Sequence, residues 1–144
     1  MFKTKKGLNL PISGNPSSDV DSSTAVNSIG ILGADYVGLK PTMMVDEGDT
    51  VLSGQKLFEN KKNPGTYITS PSSGVVRSIN RGEKRRFVSL IIDTDNTLDQ
   101  IQFDLNKYSN SIDFLVDSGA LAYFRTRPYN RMPESSELPS AIFI

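Results

Sequence analysis

The fold is decided by residues 45–79, which read VDEGDTVLSGQKLFENKKNPGTYITSPSSGVVRSI. Glu47-Gly48-Asp49 predicts a tight turn and Ser53-Gly54-Gln55 predicts a second, because Gly adopts backbone conformations that other residues avoid. Val51 is expected to point inward, and Leu57-Phe58 to return to the core. The stretch therefore predicts short strands that are joined by tight turns.

The same pattern extends over residues 36–95. Gly and Pro interrupt short apolar or alternating runs throughout this region, which is typical of a small all-β sandwich or barrel. Within it, GDxVxxGQxL is followed by a Pro-x-x-Gly-x-Val element over residues 71–76. This order resembles the barrel-sandwich hybrid of biotinyl and lipoyl domains, and the resemblance implies that fold for residues 1–105.

Biotinyl and lipoyl carriers present one modified lysine at a hairpin tip between these two elements. Lys61 and Lys62 stand at that place here, but the flanking Met-Lys-Met or Asp-Lys-Ala tripeptide is absent and Asn63-Pro64-Gly65 supplies a turn instead. We therefore expect both lysines to be solvated loop charges, without covalent modification. An independent carrier domain is the alternative interpretation.

Residues 106–127 are predicted to form a helical segment. Ser109-Asn110-Ser111 offers N-cap residues, and Ser118-Gly119 is expected to break the helix. Apolar residues recur at helical spacing in this segment: Ile112, Leu115, Val116 and Leu121. The predicted fold class is thus mainly β with a C-terminal helical segment.

Residues 128–144 are predicted to be a linker followed by the first strand of a further domain. Three prolines between Pro128 and Pro139 favour an extended connection. The chain then ends on AIFI, residues 141–144, and such an apolar run after a linker favours a truncated sequence. A short edge strand that docks back on the β domain is the alternative.

Three residue types are absent from the chain, and their absence excludes most common catalytic and metal-binding sites. The chain has no His, no Cys and no Trp, which excludes disulfides, Cys-ligated iron–sulfur clusters, zinc ribbons and a His-dependent catalytic triad. No catalytic residue and no metal site is predicted. Sixteen Lys and Arg residues balance sixteen Asp and Glu residues, which disfavours a nucleic-acid partner.

Five motifs from one end of the chain to the other resemble a known family. They are KKGLNLPI at residues 5–12, LGADYVGLKPTM at 32–43, NKKNPG at 60–65, INRG at 79–82 and RTRP at 125–128. Together they resemble the N-terminal part of the A subunit of the sodium-translocating NADH:quinone oxidoreductase. The C subunit of the Rnf electron-transport complex shares GDxVxxGQ and is the related alternative, but the motif at residues 5–12 favours the sodium pump.

This resemblance implies a domain of a respiratory complex that passes electrons from NADH to quinone and exports Na⁺. The A subunit is then peripheral, on the cytoplasmic face of the bacterial inner membrane, and docks on other subunits, especially the membrane-bound B subunit, near the quinone site. The resemblance places FAD, FMN, riboflavin and the iron–sulfur centres in other subunits. The chain itself is expected to be a non-catalytic part without a bound cofactor.

Two segments are predicted to face the quinone or a neighbouring protein of the complex. Because a quinone headgroup is a flat ring with two carbonyl acceptors, its site needs apolar walls and a few hydrogen-bond donors. The residues predicted to supply walls, donors and close backbone approach are Tyr36, Val37, Gly38, Leu39, Arg125, Arg127, Pro128, Tyr129, Arg131 and Met132. In the alternative interpretation, residues 36–39 form a core strand and the arginines pair with surface carboxylates.

A basic cluster surrounds a predicted hairpin turn. It consists of Arg77, Arg81, Lys84, Arg85 and Arg86. This cluster is expected either to be solvated or to face lipid headgroups or an acidic partner.

Overall fold

The computed structural model describes residues 13–21, 23–137 and 139–142. Within them, seven strands form two antiparallel sheets, with the order β1-β7-β6-β3 in the first and β2-β4-β5 in the second. The strands are β1 (Ser28–Leu32), β2 (Pro41–Met43), β3 (Thr50–Val51), β4 (Lys56–Asn60), β5 (Tyr67–Thr69), β6 (Gly74–Arg81) and β7 (Phe87–Thr94). The mainly β fold class is therefore confirmed.

Both turns predicted in residues 45–79 are present. Gly48 has φ +95° and donates its N–H to the carbonyl of Val76 at 2.8 Å. Gly54 has φ +82° and donates to the carbonyl of Ser70 at 2.8 Å. Because positive φ is strained for residues with a Cβ, glycine allows both turns to close against neighbouring strands.

The core lies between the two sheets. Val51, Leu57 and Phe58 are fully buried, as predicted, and the Phe58 ring lies 5.1 Å from the ring of Phe87 in the opposite sheet. Gly74, at the start of β6, has no room for a side chain, because a Cβ there would lie 2.0 Å from the carbonyl oxygen of Asp93. The remaining core residues include Ile31, Val45, Ile68, Val76, Leu90 and Ile92.

The predicted helical segment contains one short α-helix and 3₁₀ turns. Helix α1 (Ser111–Asp117) begins where the Asn110 side chain accepts a hydrogen bond from the Asp113 N–H at 2.8 Å. Gly119, with φ +75°, ends it and leads into a 3₁₀ helix (Ala120–Tyr123). The predicted break at Ser118-Gly119 is confirmed. Among the described residues, no helix has the length and apolar character needed to cross a membrane.

The segment predicted as an extended linker packs on the barrel. Thr126 donates its N–H to the carbonyl of Arg131 at 2.8 Å and so closes a tight turn. Met132 is 8% exposed and belongs to the core, and the Asn63 side chain donates to the carbonyl of Pro133 at 2.8 Å. Burial of the methionine offsets the cost of ordering this segment.

The strand predicted over residues 141–144 is only partly covered by the structure. Ala141 and Ile142 are exposed and irregular, and residues 143 and 144 lie outside the described residues. The motif at residues 5–12 also lies outside them.

Candidate functional site

The first predicted segment, residues 36–39, is a turn on the surface of the barrel and not a core strand. It follows a 3₁₀ helix (Gly33–Asp35), and the Leu39 N–H donates to the carbonyl of Tyr36 at 3.2 Å. Gly38 has φ +76°, which the turn requires. Tyr36 and Leu39 are half-buried against the core, whereas Val37 is 54% exposed.

The second predicted segment starts at Arg125, which is held firmly in place. Its guanidinium donates to the backbone carbonyls of Ala122 and Phe124. Arg127, Pro128 and Tyr129 follow on the exposed turn, and Tyr129 is 72% exposed.

Arg131 and Met132, at the end of this segment, have different roles. The Arg131 guanidinium lies 5.7 Å from the centre of the Tyr129 ring. Met132 was predicted as a wall of the surface, but its side chain is buried in the core, where an apolar side chain is most stable. It anchors the segment and does not line the surface.

The fold brings the two segments together. The Arg125 guanidinium lies 5.7 Å from the centre of the Tyr36 ring, a cation–π distance. Burial raises the pKa of the Tyr36 hydroxyl, the nearby Tyr123 raises it further, and the charge of Arg125 partly opposes this. Tyr36 is therefore a neutral phenol, which can both donate and accept a hydrogen bond.

Two aromatic residues belong to the same surface and were not predicted. Tyr123 is 60% exposed and lies close enough to Tyr36 to affect its pKa, and Phe124 is also exposed. The sequence predicts the break at Ser118-Gly119 but not the direction of the chain after it, which the 3₁₀ helix (Ala120–Tyr123) sets. We call this region the aromatic–arginine surface; it consists of Tyr36, Val37, Gly38, Leu39, Tyr123, Phe124, Arg125, Arg127, Pro128, Tyr129 and Arg131.

The loop with Lys61 and Lys62 is tied to its surroundings by hydrogen bonds. The Lys61 N–H donates to the carbonyl of Lys40 at 2.9 Å, and the Asn60 side chain accepts from the Lys62 N–H at 3.2 Å. Through Asn63, the same loop holds the C-terminal segment at Pro133. Both lysine residues are exposed.

A shallow cleft of about 420 Å³ lies away from the predicted residues. Its lining residues are Met44, Gly54, Gln55, Lys56, Ile101, Phe103 and Asp117. Lys56 and the Tyr108 hydroxyl hold Asp117 at 2.8 and 2.6 Å, and their hydrogen bonds, that of Lys56 first, lower the pKa of this carboxyl. This contact joins α1 to β4.

In the described part of the chain, no three acidic side chains come together as metal ligands would. Asp93 instead pairs with Arg77, and Asp95 accepts a hydrogen bond from the Ser73 hydroxyl at 2.7 Å. These carboxylates have structural partners on β6 and directly before it.

Comparison with known proteins gives one consistent family. Residues 2–95 match the NqrA N-terminal barrel-sandwich hybrid domain. Over its whole length the chain is 42% identical to the A subunit of the Na(+)-translocating NADH-quinone reductase of Actinobacillus pleuropneumoniae serotype 5b, 41% identical to that of a Marinomonas species and 43% identical to that of Haemophilus influenzae. In each case the match covers 34% of the relative, so the chain spans about a third of the length of these curated relatives.

Proposed function

Because the chain belongs to the family of NqrA N-terminal barrel-sandwich hybrid domains, we propose that it acts as the N-terminal domain of the A subunit of a sodium-translocating NADH:quinone reductase. That enzyme couples the oxidation of NADH and the reduction of quinone to the export of Na⁺. The observation that carries this proposal is the 41–43% identity along the entire chain to proteins of that name.

Within such an enzyme, we propose that this domain docks and does not transfer electrons. It lacks the His and Cys side chains that ligate iron–sulfur clusters and most haem. FAD, FMN, riboflavin and the iron–sulfur centres then belong to other subunits. The domain is peripheral, at the cytoplasmic face of the inner membrane, and its main partner is the membrane-bound B subunit.

The aromatic–arginine surface is the proposed docking surface. Tyr and Arg are enriched among the residues that dominate the affinity of protein interfaces. Arg125 is held by two carbonyls and lies within cation–π distance of Tyr36, so it loses little conformational freedom on binding. Arg127 and Tyr129, on the exposed turn, are available to a partner.

The same surface suits a quinone at the edge of the interface. Tyr36, Tyr123 and Tyr129 offer aromatic walls, and the guanidinium groups of Arg127 and Arg131 offer donors to the two carbonyl oxygens. Docking and quinone contact are compatible, since a site between two subunits uses walls from both.

The proposal is tested on the intact complex with a photoreactive quinone analogue and the variants Tyr36→Ala and Arg127→Ala. We expect labelling of residues 36–39 or 125–131 and at least a tenfold loss of quinone reduction or of the recovery of the B subunit. The matched control is Arg77→Ala, which removes an exposed arginine that pairs with Asp93 on β7. Labelling confined to other subunits, with unchanged activity and assembly in both variants, contradicts the role of this surface.

A further inference from the structure

The chain has no net charge, but its cations are concentrated at one end of the barrel. Four segments meet there, residues 33–40, 61–66, 81–86 and 124–133, and together we call them the basic end. They contain ten of the sixteen Lys and Arg residues: Lys40, Lys61, Lys62, Arg81, Lys84, Arg85, Arg86, Arg125, Arg127 and Arg131. The same segments contain two carboxylates, Asp35 and Glu83.

Strand pairing and packing place the first three segments together. Phe87 opens β7 directly after the hairpin tip, and its ring packs on Phe58, two residues before the end of β4. The loop that follows β4 is joined to residues 33–40, because the Lys61 N–H donates to the carbonyl of Lys40 at 2.9 Å. Gly33 lies directly against Phe87, because a Cβ on it would be 2.7 Å from the Phe87 carbonyl oxygen.

Two side-chain contacts bring in the fourth segment, residues 124–133. The Arg125 guanidinium lies 5.7 Å from the centre of the Tyr36 ring, and the Asn63 side chain donates to the carbonyl of Pro133. The segment is therefore held against both the turn after β1 and the loop after β4.

The charges at this end are available to a partner. All ten cationic residues are exposed except Arg125, which is half-buried. Within the described residues the ion pairs are Lys56–Asp117 and Arg77–Asp93, and neither involves one of the ten. Glu47, Glu59 and Glu134 border the basic end, so a large positive excess remains.

We propose that the basic end binds the anionic headgroup surface of a phospholipid bilayer through the seven cations that lie outside the aromatic–arginine surface: Lys40, Lys61, Lys62, Arg81, Lys84, Arg85 and Arg86. Neighbouring Lys and Arg side chains are attracted to acidic lipids. Each raises the partition coefficient between membrane and solution roughly fivefold.

The arrangement of the charges favours a bilayer over an acidic polypeptide. The hairpin tip, residues 81–86, reads RGEKRR and lies outside the aromatic–arginine surface. It includes no apolar residue, whereas protein interfaces depend on buried aromatic or aliphatic anchors. These seven cations are spread over three loops, and the clefts at Lys56 and Asp117 and at residues 71–73 and 94–98 lie elsewhere. Charges that are spread over several loops suit a flat partner.

The test is co-sedimentation of the full chain with lipid vesicles. Vesicles of phosphatidylcholine with phosphatidylglycerol should bind the chain, vesicles of phosphatidylcholine alone should not, and binding should weaken as salt is added. The variant is Lys84→Asn with Arg85→Asn, because both residues have positive φ, which Asn tolerates. We expect it to lower the partition coefficient about 25-fold.

The control variant, Arg77→Gln with Lys107→Gln, removes the same charge away from the basic end and should change binding less than about twofold. An equal loss in both variants would mean that net charge, and not this end, determines binding. Binding to polyglutamate but not to anionic vesicles would identify an acidic protein as the partner and overturn the proposal. The test is independent of the proposed function, because bare vesicles contain neither quinone nor partner subunits.

Discussion

The barrel and the C-terminal segment of residues 106–137 are stabilised in different ways. The barrel buries a continuous set of apolar side chains between two sheets, and its turns close on glycines. The C-terminal segment is attached by separate contacts: Asp117 to Lys56, Arg125 to Tyr36, Met132 in the core and Pro133 to Asn63. The difference predicts that the barrel is the more stable unit, and the proposed docking surface lies where the C-terminal segment meets it.

The largest expected effect is in the barrel. Phe58→Ala should lower the free energy of unfolding by about 3–5 kcal/mol, because it leaves a cavity beside Phe87 at a fully buried position. Urea denaturation measures this loss. Tyr129→Ala, at an exposed position, is the control and should change stability by less than about 0.5 kcal/mol.

A smaller and more local effect is expected for the anchor of the C-terminal segment. Met132→Ala should lower the free energy of unfolding by about 2 kcal/mol, because this side chain packs at the margin of the core. Hydrogen exchange should show lost protection in residues 124–133 and retained protection in β6 and β7. Uniform loss across all strands would mean that the two regions unfold as one unit.

The attachment of α1 should depend on pH. The pKa of Asp117 is lower in the folded chain, first because Lys56 donates to the carboxyl and second because Tyr108 does. A carboxyl whose pKa is depressed by folding stabilises the fold above its ordinary value of 3.8, and this contribution is lost as the pH falls through the folded value.

Urea denaturation at neutral and acidic pH measures this contribution. Since the Asp117 side chain is 49% exposed, the contribution of its charge to the free energy of unfolding should be under about 1 kcal/mol. Asp117→Asn should be less stable than the wild type at neutral pH, and the difference should shrink in acid. A difference that stays constant with pH would rule out this charge as the cause.

The smallest expected effect concerns the loop of Lys61 and Lys62, where a carrier domain holds its cofactor. The intact mass of the purified chain should equal the mass of the sequence, because no carrier tripeptide surrounds either lysine. Lys61→Arg with Lys62→Arg should leave that mass free of any cofactor increment as well. An increment that matches biotin or lipoate in the wild type, and its loss in this variant, would support the carrier interpretation.

Residue types and short sequence patterns predicted the barrel well and the candidate surface only in part. Glycines at positions 48, 54 and 119 mark turns because their conformations depend on few neighbours. Tyr36 and Arg125 were selected for their chemistry, but their contact joins residues far apart in the chain. Tyr123 and Phe124 were missed because the direction of the chain after Gly119 depends on how the 3₁₀ helix packs.

The amino-acid sequence by itself determined the turns, the alternation that forms two sheets, the break in the helix and the absence of His and Cys chemistry, since each of these depends on residue type and close neighbours. Only the tertiary structure decided that Met132 is an anchor, that the segment after the helix packs on the barrel, and that ten cations of a neutral chain share one end. Burial and charge clustering depend on which distant segments meet, and strand pairing and packing set that arrangement.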